Sequence, residues 1–126
     1  MHRDPFKSQT YFYNNVFYNK STTTTTTWHD TNRYLGNLGS VTFSHNCFYE
    51  ASGIHSQYEP ADDYKVTENP AMVNPGQTPQ QNSDGILSGA TVWDGYKLNA
   101  SSPLIDAGIY VPQMGTTDFY GTQLYW

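Results

Sequence analysis

One phrase occurs twice in this chain, and it limits the possible folds more than any other feature. Tyr11-Phe12-Tyr13-Asn14-Asn15-Val16-Phe17-Tyr18-Asn19 returns as Val41-Thr42-Phe43-Ser44-His45-Asn46-Cys47-Phe48-Tyr49, with Phe12 matching Phe43, Asn15 matching Asn46, Phe17 matching Phe48 and Tyr18 matching Tyr49, 31 residues apart. Each copy reads as a short strand, a turn at the asparagine and a second short strand. No Asn-Gly or Asp-Gly pair reverses the chain, so the two strands form a corner and not a hairpin. Asparagine tolerates the left-handed backbone conformation, which bends extended chain without reversing it. The expectation is a left-handed residue at Asn15 and at Asn46.

A phrase that returns in the same direction at this spacing predicts stacked coils. Parallel strands need long connections, and a solenoid supplies one per coil, with neighbouring coils about 4.8 Å apart. Equivalent residues then stack. Phe12 lies on Phe43, Phe17 lies on Phe48, and Asn15 and Asn46 begin a ladder of side-chain amides. A buried amide is costly unless paired, and the ladder supplies the pairing. A degraded third copy follows, with Tyr64-Lys65-Val66-Thr67 incoming, Asn69-Pro70 at the corner and Ala71-Met72-Val73 outgoing. That makes Asn69 the third rung. An antiparallel sandwich with chance similarity does not explain why the asparagine and its flanking aromatics recur together.

The composition fits sheets with polar, uncharged outer faces. Only 13% of the 126 residues are charged and 16% are aromatic, 11 of them Tyr, whereas disordered chains are charge-rich and aromatic-poor. The net charge is −5 with no basic cluster, which argues against a nucleic-acid partner. No apolar run reaches the roughly 20 residues that span a bilayer. No signal-peptide pattern is present at Met1-His2-Arg3-Asp4-Pro5. The single Cys47 takes the place of Val16 in the phrase, so it reads as a small buried apolar residue.

The chain divides into coils over 11–73, a loop over 74–92 and a closing segment over 93–126. Thr22 to Thr27 form an exposed loop that lengthens the first repeat. The closing segment carries Leu98, Leu104, Ile105, Ile109 and Phe119, an apolar set suited to cover the end of a solenoid bore. No sustained helical period appears, and helix content should be small.

These residues resemble a known group. Phe12-Tyr13-Asn14-Asn15-Val16-Phe17-Tyr18, Thr42-Phe43-Ser44-His45-Asn46-Cys47-Phe48-Tyr49, Asn69-Pro70-Ala71-Met72-Val73-Asn74-Pro75, Ser102-Pro103-Leu104-Ile105-Asp106-Ala107-Gly108 and Asp118-Phe119-Tyr120-Gly121 resemble the C-terminal end of secreted right-handed parallel β-helix proteins of the pectate-lyase-like, carbohydrate-active kind. The resemblance implies an all-β solenoid, here its last two or three coils plus a capping segment. It implies an extracellular or cell-surface setting and a polysaccharide partner. The family includes glycoside hydrolases, polysaccharide lyases and proteins with no assigned activity, and it places catalytic groups on central coils, so no catalytic residue carries over. The coil at Tyr11 would then have an open edge, and the expected partners there are preceding coils or another copy of the chain. The alternative is a stand-alone, non-catalytic adhesive or carbohydrate-binding module.

Specific chemistry is sparse. Glycoside hydrolysis needs two carboxyl groups flanking the bond, and Glu50, Glu59, Asp62, Asp63 and Glu68 lie near the coils, although Asp62 and Asp63 point opposite ways in extended chain. Asp106 and Asp118 precede tight turns and read as turn caps. His2, His29, His45 and His55 share no ligand spacing, so no metal site is expected. Calcium would suit an acidic coil protein, but no Asp-rich calcium loop is present, and no cofactor is expected. Exposed aromatics on a sheet can stack on sugar rings. Tyr11, Tyr13, Trp28 and Tyr34 are the candidates, with Tyr18 and Tyr49 beside them.

Overall fold

The computed structural model describes residues 9–26, 28, 41–76, 90–112, 114–118 and 120–124. His2, His29, Tyr34, Phe119 and most of the 74–92 loop lie outside the described residues.

Strands form where β-branched and aromatic residues cluster. β1 spans Thr10–Tyr13, β2 Val16–Asn19, β3 Val41–Ser44 and β4 Cys47–Glu50. β1 pairs with β3 and β2 with β4, both in parallel. The register sets Phe12 on Phe43, Val16 on Cys47, Phe17 on Phe48 and Tyr18 on Tyr49, which is the pairing the repeat predicts. The class is accordingly all-β: strands dominate, and the only helix among the described residues is a 3-10 helix at Ala90–Tyr96.

The corners differ from expectation by one residue. Asn14 and His45 are left-handed, with φ of 58° and 57°. Asn15 and Asn46 follow them and turn their amides along the stack. The first residue of each pair bends the chain and the second bonds the layers together.

The third layer is also shifted. Val66 bridges Cys47 in parallel, with Phe48 N donating to Val66 O at 2.9 Å and Val66 N to Asn46 O at 3.0 Å. Residues 64–67 therefore continue the β2–β4 side and do not act as an incoming strand below β3. Ala71–Asn74 turns away to pair antiparallel with 95–99, through Val73 N to Lys97 O at 2.9 Å, Asn99 N to Ala71 O at 2.9 Å and Asn74 N to Gly95 O at 2.8 Å. Pro70, which breaks a ladder by lacking an N–H, marks the departure.

The core is small and aromatic. Phe48 is 1% exposed and Cys47 is similarly buried. Phe12–Phe43 and Phe17–Phe48 stack with centroids 4.8 and 5.0 Å apart. Trp28 meets Phe17 and Phe48 edge-on at 5.2 and 5.4 Å. Such contacts add about 0.5–1.5 kcal/mol each beyond area burial.

The closing segment takes an unexpected course. It leaves the third layer by the pairing at Met72 and Leu98, and is pinned where buried Ser102 donates from Oγ to Pro70 O at 2.6 Å. It then climbs back to the first corner at Asn14. It runs as a strap along the corner side, hydrogen-bonded at Pro70 and Asn14. Leu98, Ile105 and Ile109 are correspondingly exposed.

Candidate functional site

The corners gather most of the polar chemistry. Asn46 is fully buried. Its Oδ1 accepts from Asn15 N at 2.9 Å and Asn15 Nδ2 at 3.1 Å. Its Nδ2 donates to Phe12 O at 2.9 Å, Ser44 O at 3.2 Å and Asp62 Oδ2 at 2.9 Å. One amide thus joins three layers. The rung below it is Asp62, and Asn69 lies elsewhere: exposed Asn69 accepts from Ala71 N at 2.9 Å and reaches the Tyr49 hydroxyl at 3.5 Å.

Asp62 receives four hydrogen bonds, from His45 N at 3.1 Å, Asn46 N at 3.0 Å, Asn46 Nδ2 at 2.9 Å and Tyr64 N at 3.0 Å. Burial by itself pushes the carboxyl upward, but the bonds from Asn46, Tyr64 and His45 outweigh it and hold Asp62 below the usual carboxylate range. It is a fixed anion that organises the corner. Its neighbour Asp63 is exposed, in a turn where Lys65 N donates to Asp62 O at 3.4 Å, so the two are not in extended chain.

The other carboxylates near the coils are similarly committed. Buried Glu50 accepts from Asn19 Nδ2 at 2.7 Å and from Thr26 N at 3.0 and 3.2 Å. This ties the end of the threonine tract to β4, where the sequence suggests only a free loop. Glu59 bridges His55 and Lys65, both at 2.6 Å. Asp118 caps its turn as expected, accepting from Tyr120 N at 2.9 Å and Thr122 N at 2.7 Å. Asp106 adopts φ of 58° and lines a cavity of about 600 Å³ with Asn14, Tyr110 and Met114. Glu50, Glu59 and Asp62 are thus each hydrogen-bonded within the scaffold. No cluster of three metal-ligating side chains occurs among the described residues. None of their helices is long and apolar enough to cross a membrane.

The aromatic candidates separate. Tyr11 is 51% exposed, and its ring lies 5.5 Å from that of Tyr13 at 38°. Both project on the face opposite Phe12, as strand alternation demands. The Tyr11 hydroxyl donates to Gln9 Oε1. Trp28 instead belongs to the aromatic core, and Tyr34 lies outside the described residues. The Tyr18 and Tyr49 rings lie 5.0 Å apart along the ladder, tilted by 35°. Tyr18 also lines a second cleft, of about 510 Å³, with Lys20, Met72 and Tyr96.

Asn14, which has no role of its own in the sequence expectations, and Ile109, expected there only as part of an apolar cap, meet outside the corner. Asn14 Nδ2 donates to Ile109 O at 2.8 Å, and Ile109 N donates to Asn14 Oδ1 at 2.8 Å. Gly108 permits this approach, since a Cβ there would lie 3.2 Å from Asn14 Oδ1. The signal in the sequence was the doublet Asn14-Asn15: one asparagine serves the ladder, which leaves the other to be explained.

Comparison with protein-family models and with curated proteins finds no match for this chain.

Proposed function

We propose that the chain is the closing end of an extracellular right-handed parallel β-helix protein that binds or degrades polysaccharide, with a structural role and no catalytic groups of its own. Parallel crossovers are right-handed almost without exception. The observation that carries the reading is the gradient of burial along the stack: Asn46 and Phe48 in the middle layer are sealed, while Phe12 and Val16 in the first layer are 37% and 42% exposed. The first layer is built like an interior layer but lacks a neighbour among the described residues. The strap along the corner closes the other side of the same layers. Sedimentation of the isolated chain over a range of concentrations tests this. Association through the β1–β2 edge is expected, and a compact monomer at every concentration overturns the reading.

Exposed Tyr11, with half-buried Tyr13 beside it, favours a second reading, a non-catalytic carbohydrate-binding module. It predicts retention on one member of a polysaccharide panel, lost in Tyr11→Ala and Tyr13→Ala. Equal retention of the variants and the parent would leave these residues as ordinary outer-face tyrosines.

A further inference from the structure

The ladder ends on an acceptor with nothing to accept. Asn46 Oδ1 takes two bonds from the layer above it, from Asn15 N and Asn15 Nδ2. Asn15 occupies the same position one layer up. Its Nδ2 donates to Tyr13 O at 3.0 Å and to Asn46 Oδ1, matching the bonds of Asn46 to Ser44 O and Asp62 Oδ2. Among the described residues, however, no donor reaches Asn15 Oδ1, and Asn15 is exposed where Asn46 is buried. The backbone repeats this asymmetry. Cys47 N donates upward to Asn15 O at 2.8 Å, and Phe48 N donates downward to Val66 O. Because Val16 is in register with Cys47, the Val16 N–H faces the open edge. Phe12 and Phe17 present the upper faces of their stacks on the same side.

We infer that the outer edge of β1 and β2 is a docking surface for one more coil of the repeat's own pattern, a strand–corner–strand segment with asparagine at the corner, an aromatic residue three positions before it and another two after it. This rests on the coil-stack reading above and specifies its partner. The partner's corner asparagine donates from N and Nδ2 to Asn15 Oδ1, and its corner carbonyl accepts from Val16 N. Its two aromatic rings cover Phe12 and Phe17. The interface is the internal β1–β3 and β2–β4 interface continued by one step, so its geometry is already present within the chain. A second copy stacked head to tail does not satisfy it. The far layer carries Asp62 at the corner, an acceptor that cannot donate to Asn15 Oδ1.

A blocked peptide with the sequence Thr10 to Asn19 provides the missing coil in trans. Added to the full chain, it is expected to bind saturably, dissociate the self-associated chain and slow exchange at the Val16 amide. The same peptide with alanine for the corner asparagine is expected to bind about tenfold more weakly, because the Nδ2 bond to Asn15 Oδ1 is lost while the backbone N–H bond remains. Asn15→Ala in the chain should abolish that difference between peptides. Equal binding of both peptides to the parent chain, or binding without protection at Val16, overturns the inference in favour of a merely adhesive apolar edge. The two levels fail separately. A chain that self-associates but ignores the peptide loses only this inference, whereas a chain that is monomeric throughout loses the coil-stack reading itself.

Discussion

The side chain of Asn14 and the backbone of Ile109 exchange two hydrogen bonds of 2.8 Å across 95 residues of sequence. The primary amide copies what a neighbouring peptide group would offer, one donor and one acceptor, so the strap is fastened as if to another strand. The same residue has φ of 58°, a conformation that asparagine tolerates far better than most side chains. Asn14→Ala removes both advantages and should cost about 2–3 kcal/mol, from two lost bonds and the strained backbone. Asn14→Gly restores the backbone freedom alone and should recover part of the loss. Urea unfolding of the three proteins gives the magnitudes. Amide exchange gives the location: Ile109 should exchange much faster in both variants while Phe48 stays protected.

Asp62 makes the corner sensitive to acid. Its folded carboxyl lies below the ordinary range because four donors favour the charged form over the opposing effect of burial. A carboxyl depressed on folding contributes stability that is complete above its unfolded pKa of about 3.9. That contribution is lost as pH falls from there through the lower folded value. Thermal unfolding between pH 6 and pH 2 should therefore show a decline in the acid limb that Asp62→Asn weakens. The variant should be less stable at pH 6, since the amide turns one acceptor into a donor facing N–H groups. An unchanged acid limb in Asp62→Asn would assign the pH dependence to other carboxylates.

The repeat made the two parallel ladders legible because a side-chain period and a fixed offset together determine register. Phe12 on Phe43 and Asn15 on Asn46 follow from the spacing alone. The third layer was not legible, because Asp62 replaces an asparagine as the rung and no spacing rule anticipates a carboxylate in an amide ladder. Physically the exchange is sound: at the last rung only acceptors are required, to take N–H groups from His45, Asn46 and Tyr64. The course of the strap is not legible for a related reason. Leu98, Leu104, Ile105 and Ile109 announce an apolar segment, but its hydrogen-bonded anchors are polar, at Ser102–Pro70 and Asn14–Ile109. Composition records apolar content and is silent on a single long-range amide. The packing of Trp28 against Phe17 and Phe48 is not legible either, because it follows a tract whose end is held at Thr26 by Glu50, 24 residues away in sequence.

Cys47 should behave as a core residue toward reagents. It is 2% exposed, and burial raises its thiol to about 11, so both access and thiolate content are low at neutral pH. Its Sγ lies 3.8 Å from Glu68 O, and no charged group among the described residues shifts it toward the thiolate. A neutral-pH thiol assay should show slow modification in the native chain and full, rapid modification in denaturant. The native rate should track global unfolding as urea is added. Fast native reaction would mean that the β4 layer opens locally.

Phe48 and Phe12 provide an internal comparison of a sealed layer with an open one. Both belong to stacked phenylalanine pairs of nearly equal geometry, with centroids 5.0 and 4.8 Å apart. Phe48 also touches Trp28 and Phe43, and is 1% exposed against 37% for Phe12. Phe48→Ala opens a cavity bounded by Phe17, Phe43 and Trp28, and should cost about 3–5 kcal/mol, enough to unfold a small domain of ordinary stability. Phe12→Ala removes area that is already partly hydrated and leaves an indentation that water can fill. Its cost should be roughly 1–2 kcal/mol. Chemical denaturation of the two variants measures the difference. Equal costs would mean that the β1–β3 edge is covered in solution, whereas a large cost confined to Phe48 places the thermodynamic core in the middle layer, between the amide of Asn46 and the ring of Trp28.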